Sequence, residues 1–322
     1  MKRLLSRLLL IVSVACIGAC SQKTDIFLPY DENLNLPEDL ADAPVDQLLL
    51  DAREGFTYLR TFPVESAYRV QLPGSIGLHF PAGEWKTTDN QIVSGLVTAR
   101  IIAAKSPAEL LLSNVSSLAD DQLLSMLGAV RIELFSEGRP LHPTSDYNIE
   151  LDFPTSDQEE GWQLYLNSTD TDDWQALADL TPTPISVKDY ETGEALPAIR
   201  FQAPWNKWLA LAKDFEAEFS DYTQLSVRAP QDWTANWLSV FAVFPTENSI
   251  VRLRPVLEEN TLIFRNDFLP SGQSIQLIAL GRNEMGQVHF GVVETETETG
   301  PSEVDIDLVP ISESALASLL GL

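Results

Sequence analysis

The sequence predicts a mostly β protein: two antiparallel β-sandwich domains with a short connecting helix and a short C-terminal helix. Apolar and polar residues alternate with period two in run after run. Tyr68, Val70 and Leu72 alternate with Arg69 and Gln71, and Ile76, Leu78 and Phe80 with Gly77 and His79. The same period returns in Val97/Ala99/Ile101, Val130/Ile132/Leu134 and Tyr147/Ile149/Leu151/Phe153. Strands of this kind bury one face and wet the other. Turn residues separate them at Pro73-Gly74, Pro81 to Gly83, Asp89-Asn90 and Glu137-Gly138, which favours short strands in a sandwich over an α/β sheet.

The chain opens with Lys2, Arg3 and Arg7, then an apolar run from Leu8 to Ile17 and the quartet Ile17-Gly18-Ala19-Cys20. That is the layout of a secretory signal peptide over residues 1–19, with an apolar run too short for a span of roughly 20 residues. The quartet resembles a bacterial lipobox. The resemblance implies cleavage before Cys20 and acylation of Cys20 by chains such as palmitate, each buried methylene adding about 0.8 kcal/mol of membrane affinity. Ser21, where a retention signal would place Asp, implies the outer membrane, with the periplasmic or surface face left open. Cleavage would also remove Cys16, leaving Cys20 as the remaining cysteine, so no disulfide is expected and the core must hold itself together.

Residues 20–44 are polar and broken by Pro29, Pro37 and Pro44, the composition of a flexible tether. Gln47 to Tyr58 suits a short helix or a strand, and its place before a strand pair favours a strand. Residues 45–168 then form the first sandwich, closing with the alternating strand Gly161 to Leu166. Residues 169–224 read as a connector marked by Pro182, Pro184 and Pro197. Within it Trp205, Trp208, Leu209, Ala212, Phe215 and Phe219 recur at helical spacing, which predicts a helix near 204–219 packed through its aromatics against a β-domain.

Residues 225–322 predict a second β-domain with strands at Leu238–Val243, Ile250–Leu253, Leu262–Phe264, Ile275–Leu280, Val288–Val293 and Val304–Val309. Ile275–Leu280 is apolar almost throughout and should be central, whereas Val304/Ile306/Leu308 alternate with Asp305/Asp307 and should wet one face. A helix follows, with Ser312 as N-cap, Ala315, Leu316, Leu319 and Leu320 on one face, and Gly321 as the stop.

Residues 75–168 resemble the ZU5-like domains of envelope lipoproteins of Gram-negative bacteria. The likeness runs through Leu78 to Glu84, Gly95 to Arg100, Ser106 to Asn114, Gly128 to Leu134, Gly138 to Leu141 and Trp162 to Leu166. The later part is similar to the prealbumin-like or Ig-like second domain of such proteins, through Leu269-Pro270-Ser271-Gly272 and the apolar strand after it. In ankyrins and netrin receptors ZU5 domains are docking modules, so the resemblance implies partner binding. Some relatives cut themselves at His-Phe followed by Ser or Thr. Here Pro81 follows His79-Phe80 and Gly291 follows His289-Phe290, so no nucleophile is offered.

Chemistry is sparsely signalled. The balance of 21 basic against 47 acidic residues, −26 in all, disfavours nucleic acid as a partner. Three histidines, His79, His142 and His289, show no metal-ligand spacing, so neither a metal nor another cofactor is expected. The loop Asn167 to Asp173 carries closely spaced carboxylates, but with no Gly sixth and no Glu twelfth from Asp170 it fails the calcium-loop pattern and reads as an exposed acidic loop. Hydrolase elbows, phosphate loops and dinucleotide turns are missing, so no catalytic residue is assigned. A carboxylate pair assembled by folding, the glycosidase device, would not show in the sequence. Trp205, Trp208, Trp233 and Trp237 suit core packing better than a sugar-binding platform. The expectation is a non-catalytic, lipid-anchored envelope protein that docks, adheres or scaffolds through a protein or glycan partner. The alternatives are an envelope hydrolase acting on glycans and an accessory subunit of a transport or secretion assembly.

Overall fold

Alternation along the chain becomes pleated sheet, and the sheets stack in pairs. The structure, a computed structural model, describes residues 44–320 apart from 84, 88, 120, 143–147, 156–160, 168–173, 178–179, 181, 205–206, 216–221 and 260. Everything described below belongs to one compact unit.

The described strands of the first sandwich are β1 (Thr57–Pro63), β2 (Tyr68–Gln71), β3 (Gly77–Phe80), β4 (Trp85–Thr87), β5 (Ile92–Val93), β6 (Leu96–Ala104), β7 (Leu118–Ala119), β8 (Gln122–Ser136), β9 (Arg139–His142), β10 (Ile149–Pro154), β11 (Gln163–Asn167), β12 (Trp174–Ala176), β13 (Thr183–Lys188), β14 (Ala195–Ala203) and β15 (Trp208–Asp214). Ten of them form a sheet around the long β8, which pairs with β6 on one side and β15 on the other. The other five run β13-β14-β10-β3-β2 and face that sheet. Between them lies a core that includes Phe62, Phe80, Ile101, Ile132, Leu151, Phe153, Phe201 and Leu211. At the β8–β9 turn Glu137 and Gly138 both take positive φ, as the mirror-image two-residue hairpin turn requires.

The second sandwich contains β16 (Tyr222–Arg228), β17 (Leu238–Phe244), β18 (Ser249–Arg252), β19 (Arg254–Glu258), β20 (Thr261–Pro270), β21 (Ser274–Arg282), β22 (Val288–Glu296), β23 (Ser302–Asp305) and β24 (Val309–Ile311). Its sheets run β19-β20-β16-β23 and β18-β17-β21-β22-β24. The apolar stretch Ile275–Leu280 is central, as its composition predicts. Ile306 is buried in the core while Asp305 and Asp307 are exposed. One pairing departs from the antiparallel expectation: β16 and β23 run parallel.

Three segments differ from the sequence expectation. Val45, Leu48, Leu49 and Ala52 lie on one face of a helix, α1 (Pro44–Ala52), rather than a strand, because the spacing i, i+3, i+4, i+7 suits a curved stripe. A 3₁₀ turn, Arg53–Phe56, leads from it into β1. The predicted connecting helix near 204–219 is instead strand β15 over Trp208–Asp214. Trp208, Ala210 and Ala212 face one core while Leu209 and Leu211 face the other, so the strand is apolar on both sides and shows no alternation. The supposed connector 169–224 also carries β12, β13 and β14, all paired into the first sandwich's sheets.

A third core joins the two sandwiches. The outward face of β15 and the near halves of β6 and β8 meet α1, a helix α2 (Pro107–Leu112) and the outward face of β17 and β21, burying Leu48, Leu111, Met126, Trp174, Trp208, Phe241, Ile278 and Leu280 together. Helix α2 begins in a complete capping box: Ser106 Oγ accepts from Glu109 N, and Glu109 Oε2 accepts from Ser106 N at 2.9 Å. Polar groups zip the same seam. Asn248, in the left-handed region, donates its amide to the Lys105 and Met126 carbonyls at 2.8 and 2.7 Å, and Ser125 donates to Glu247 at 2.6 Å. The C-terminal helix α3 (Glu313–Leu320) adds Leu316 to this core, with Ser312 accepting from Ala315 N as the predicted N-cap.

Tyr165 stands in the seam and donates its hydroxyl to Asp214 at 3.2 Å. Burial, reinforced by the Asp214 charge, pushes its pKa up to about 12. The neutral form is therefore favoured in the folded state. The associated stability is intact below the unfolded value of about 10 and is lost as pH rises from there towards 12. Tyr165→Phe should retain more of its stability than the parent across that interval; identical alkaline unfolding curves would contradict the assignment.

Candidate docking surface

The ten-stranded sheet is covered on its outer face for only part of its length. On β6 the outward residues are Leu96, Thr98, Arg100, Ile102 and Ala104, in that order along one face. Ile102 and Ala104 lie under the seam, whereas Leu96 is 63% exposed. Register carries the open part sideways: Leu59, Thr61 and Pro63 of β1 stand beside Arg100, Thr98 and Leu96, and Phe135 of β8 pairs with Thr98 and with Pro140 of β9. Further along, Trp85 and Val93 turn inward, so Lys86 and Ile92 of β4 and β5 point out. Leu59 and Ile92 are 63% and 66% exposed. Three exposed aliphatic side chains thus share the outward face of this sheet with two prolines and a half-buried phenylalanine, a grouping that single exposed apolar residues do not make.

The border between covered and open halves is charged. Glu133 receives Arg100 at 3.4 Å and Arg131 at 3.1 Å. Thr61 and Thr98 hydrogen-bond across the strand pair at 3.1 Å.

The outer face of the opposite sheet is different in kind. Arg69, His79, Glu150 and Arg200 come from four neighbouring strands, with Asp152 beside them on β10. Arg200 makes a fork to Asp152 at 2.6 and 2.8 Å and reaches Glu150 at 3.4 Å, while His79 Nδ1 lies 2.9 Å from Glu150. Burial alone would raise the Glu150 carboxyl. The His79 hydrogen bond and the Arg200 and Arg69 charges outweigh it and hold the group below the usual carboxylate range. These charges answer one another, so the ladder offers a ligand little.

A third polar cluster fastens loops. Ser75, buried and in the left-handed region, donates to Asp189 at 3.2 Å and accepts from Tyr190 N at 2.9 Å. Lys105 donates to the Gly74 carbonyl. Burial pushes its pKa down, against the pull of Glu109 and Asp189.

Of the residues singled out in the sequence, Cys20, residues 168–173 and Trp205 lie outside the described residues. Asn167 is a buried strand end. His289 meets Trp233 edge-on with ring centres 5.1 Å apart, and the Trp233 ring lies against Gly281. Trp208 is 3% exposed, and Phe215 packs 6.4 Å from Phe244. The aromatics Trp208, Phe215 and Trp233 are therefore engaged in packing. Among the described residues, no cluster of three potential metal ligands occurs. Among the described residues, the carboxyl groups that depart clearly from ordinary behaviour, Glu65, Asp89, Glu150 and Asp189, are shifted downward. The Leu59/Ile92/Leu96 face escapes the sequence reading because its exposure depends on how far the seam extends.

Compared with known proteins, the chain matches no family model and no curated sequence.

Proposed function

We propose that this protein is a non-catalytic docking or scaffolding component of a bacterial envelope, tethered to the outer membrane through acyl chains on Cys20. The observation that supports docking best is the uncovered apolar face bearing Leu59, Ile92 and Leu96 on an otherwise strongly acidic chain. The likeness of residues 75–168 to ZU5-like docking modules agrees with it. Two measurements test the two halves. Cys20→Ala should move the protein out of the detergent phase; unchanged partitioning would remove the anchor from the proposal. A photo-crosslinking amino acid at position 96 should give discrete adducts in the native envelope that the same group at the exposed Met285 does not give. Equal labelling at both positions would overturn docking through this face.

A further inference from the structure

We infer that the chain cuts its own backbone between Gly74 and Ser75, the Ser75 hydroxyl attacking the Gly74 carbonyl in a single processing event. The inference stands apart from the docking reading, since it needs neither a partner nor turnover. The bond lies in the 3₁₀ turn Pro73–Ser75 that joins β2 to β3. Gly74 and Ser75 both take positive φ, 72° and 66°, and for serine that is a strained conformation. The surroundings enforce it. Leu72 and Ile76, both buried, bracket the turn; Leu72 N donates to the Ile76 carbonyl at 2.8 Å, and Ser75 N donates to the Leu72 carbonyl at 3.0 Å.

Three groups converge on this bond. Ser75 is 2% exposed, and its hydroxyl donates to Asp189 Oδ2 at 3.2 Å while accepting from Tyr190 N at 2.9 Å. The other oxygen of Asp189 accepts from the Glu191 and Thr192 amides at 3.0 and 2.7 Å, which fixes the carboxylate in place. Lys105 donates its ammonium to the Gly74 carbonyl oxygen. That approach is open only because residue 74 is glycine: a Cβ there would stand 2.6 Å from Lys105 Nζ. The lysine is itself held through its main chain, its N–H donating to Glu109 Oε2 at 2.7 Å and its carbonyl accepting from Asn248 at 2.8 Å. Hydroxyl, carboxylate and ammonium are the nucleophile, proton acceptor and oxyanion donor that acyl transfer needs.

Attack closes a five-membered ring and forms the bond from Ser75 Oγ to the Gly74 carbonyl carbon, and the charge that gathers on the Gly74 oxygen falls against Lys105. The proton leaves Oγ for Asp189 and passes to the Ser75 nitrogen as the C–N bond breaks. Gly74 is then joined to Ser75 through an ester, and Ser75 carries a free amine. Water hydrolyses the ester, leaving a carboxylate on Gly74 and restoring the Ser75 hydroxyl. The two pieces stay together, because β1 remains paired with β6 and β2 with β3.

The test follows the purified full chain, incubated near neutral pH, by denaturing electrophoresis and intact mass. It should convert to two fragments, the later one beginning at Ser75, with masses that sum to the chain plus one water and with an unchanged size under native conditions. Ser75→Ala should stay whole and Ser75→Cys should cut, which separates loss of the nucleophile from loss of the fold. Lys105→Met should slow the cut by at least about a hundredfold, the usual effect of removing an oxyanion donor. Hydroxylamine, which captures esters, should speed the parent reaction and leave a hydroxamate on Gly74, and guanidinium, by releasing the turn, should stop it. A parent chain that stays whole with and without hydroxylamine would overturn the inference. So would a cut that survives Ser75→Ala, which would mark a contaminating protease, or equal rates for the parent and Lys105→Met.

Discussion

Trp208→Ala should lower the unfolding free energy by about 3–5 kcal/mol, the usual cost of emptying a large buried aromatic site. The side chain is 3% exposed and lies in the core shared by both sandwiches, among Trp174, Tyr165, Met126 and Phe241. Its strand is held on both sides by β8 and β11, so the surroundings have little freedom to collapse into the space. The position within the seam makes a second demand. If the seam couples the two sandwiches, urea should unfold the variant in one transition shifted as a whole, with far-ultraviolet and tryptophan signals coincident. Leu59→Ala, on the open face, should stay within about 0.5 kcal/mol of the parent. A second sandwich that keeps its parental midpoint while the first melts early would refute the coupling.

Gly291→Ala should be strongly destabilising for the second sandwich. Gly291 pairs with Ala279 inside the five-stranded sheet. A Cβ there would overlap the Asp307 carbonyl oxygen and press on Leu308 Cδ2 at 3.1 Å and Ile306 Cγ1 at 3.2 Å. A carbonyl fixed in the main chain cannot swing aside as a lysine tip can. Either β22 or the crossover from β23 to β24 must move, and Ile306, buried in the core, travels with it. Overpacking of this kind costs about 1–3 kcal/mol, and the backbone contact puts Gly291→Ala at the upper end. Gly300→Ala is the control, since nothing lies within 4 Å of its added carbon. Equal melting temperatures for the two variants would show that the crossover is not packed as described.

Elements that bury one face were readable in advance, and those that bury two were not. Ile149, Leu151 and Phe153 of β10 alternate strictly with half-buried Glu150, Asp152 and Pro154, and the strand was evident. In β15 each of Trp208 to Ala212 is buried, so polar residues do not mark a wet side. The tryptophans and phenylalanines around it then imitate a helical stripe. The spacing of Val45, Leu48, Leu49 and Ala52 did carry a helical signal, which the neighbouring strand context masked. Ser106 and Glu109 spell a capping box at a readable interval. The open apolar face could not be read at all: Leu96 and Ile102 are both apolar outward residues of β6, and a neighbour distant in sequence covers Ile102 only.

The shared core also sets an order of events. Leu48 and Leu49 near one end of the described chain and Leu316 near the other are buried against the same residues, and Arg282 reaches Asp51 of α1 at 3.9 Å as well as Glu313 of α3. Contacts spanning so much of the sequence cannot form until residues through Leu316 have emerged, whereas each sandwich can begin to pair strands earlier. Before β17 and β21 have emerged, the outward apolar face of β15 stands without their cover, the kind of surface on which unfinished chains stick to one another. A chain built this way is most exposed to aggregation until the second sandwich's strands reach the seam, and α3 then closes it with Leu316.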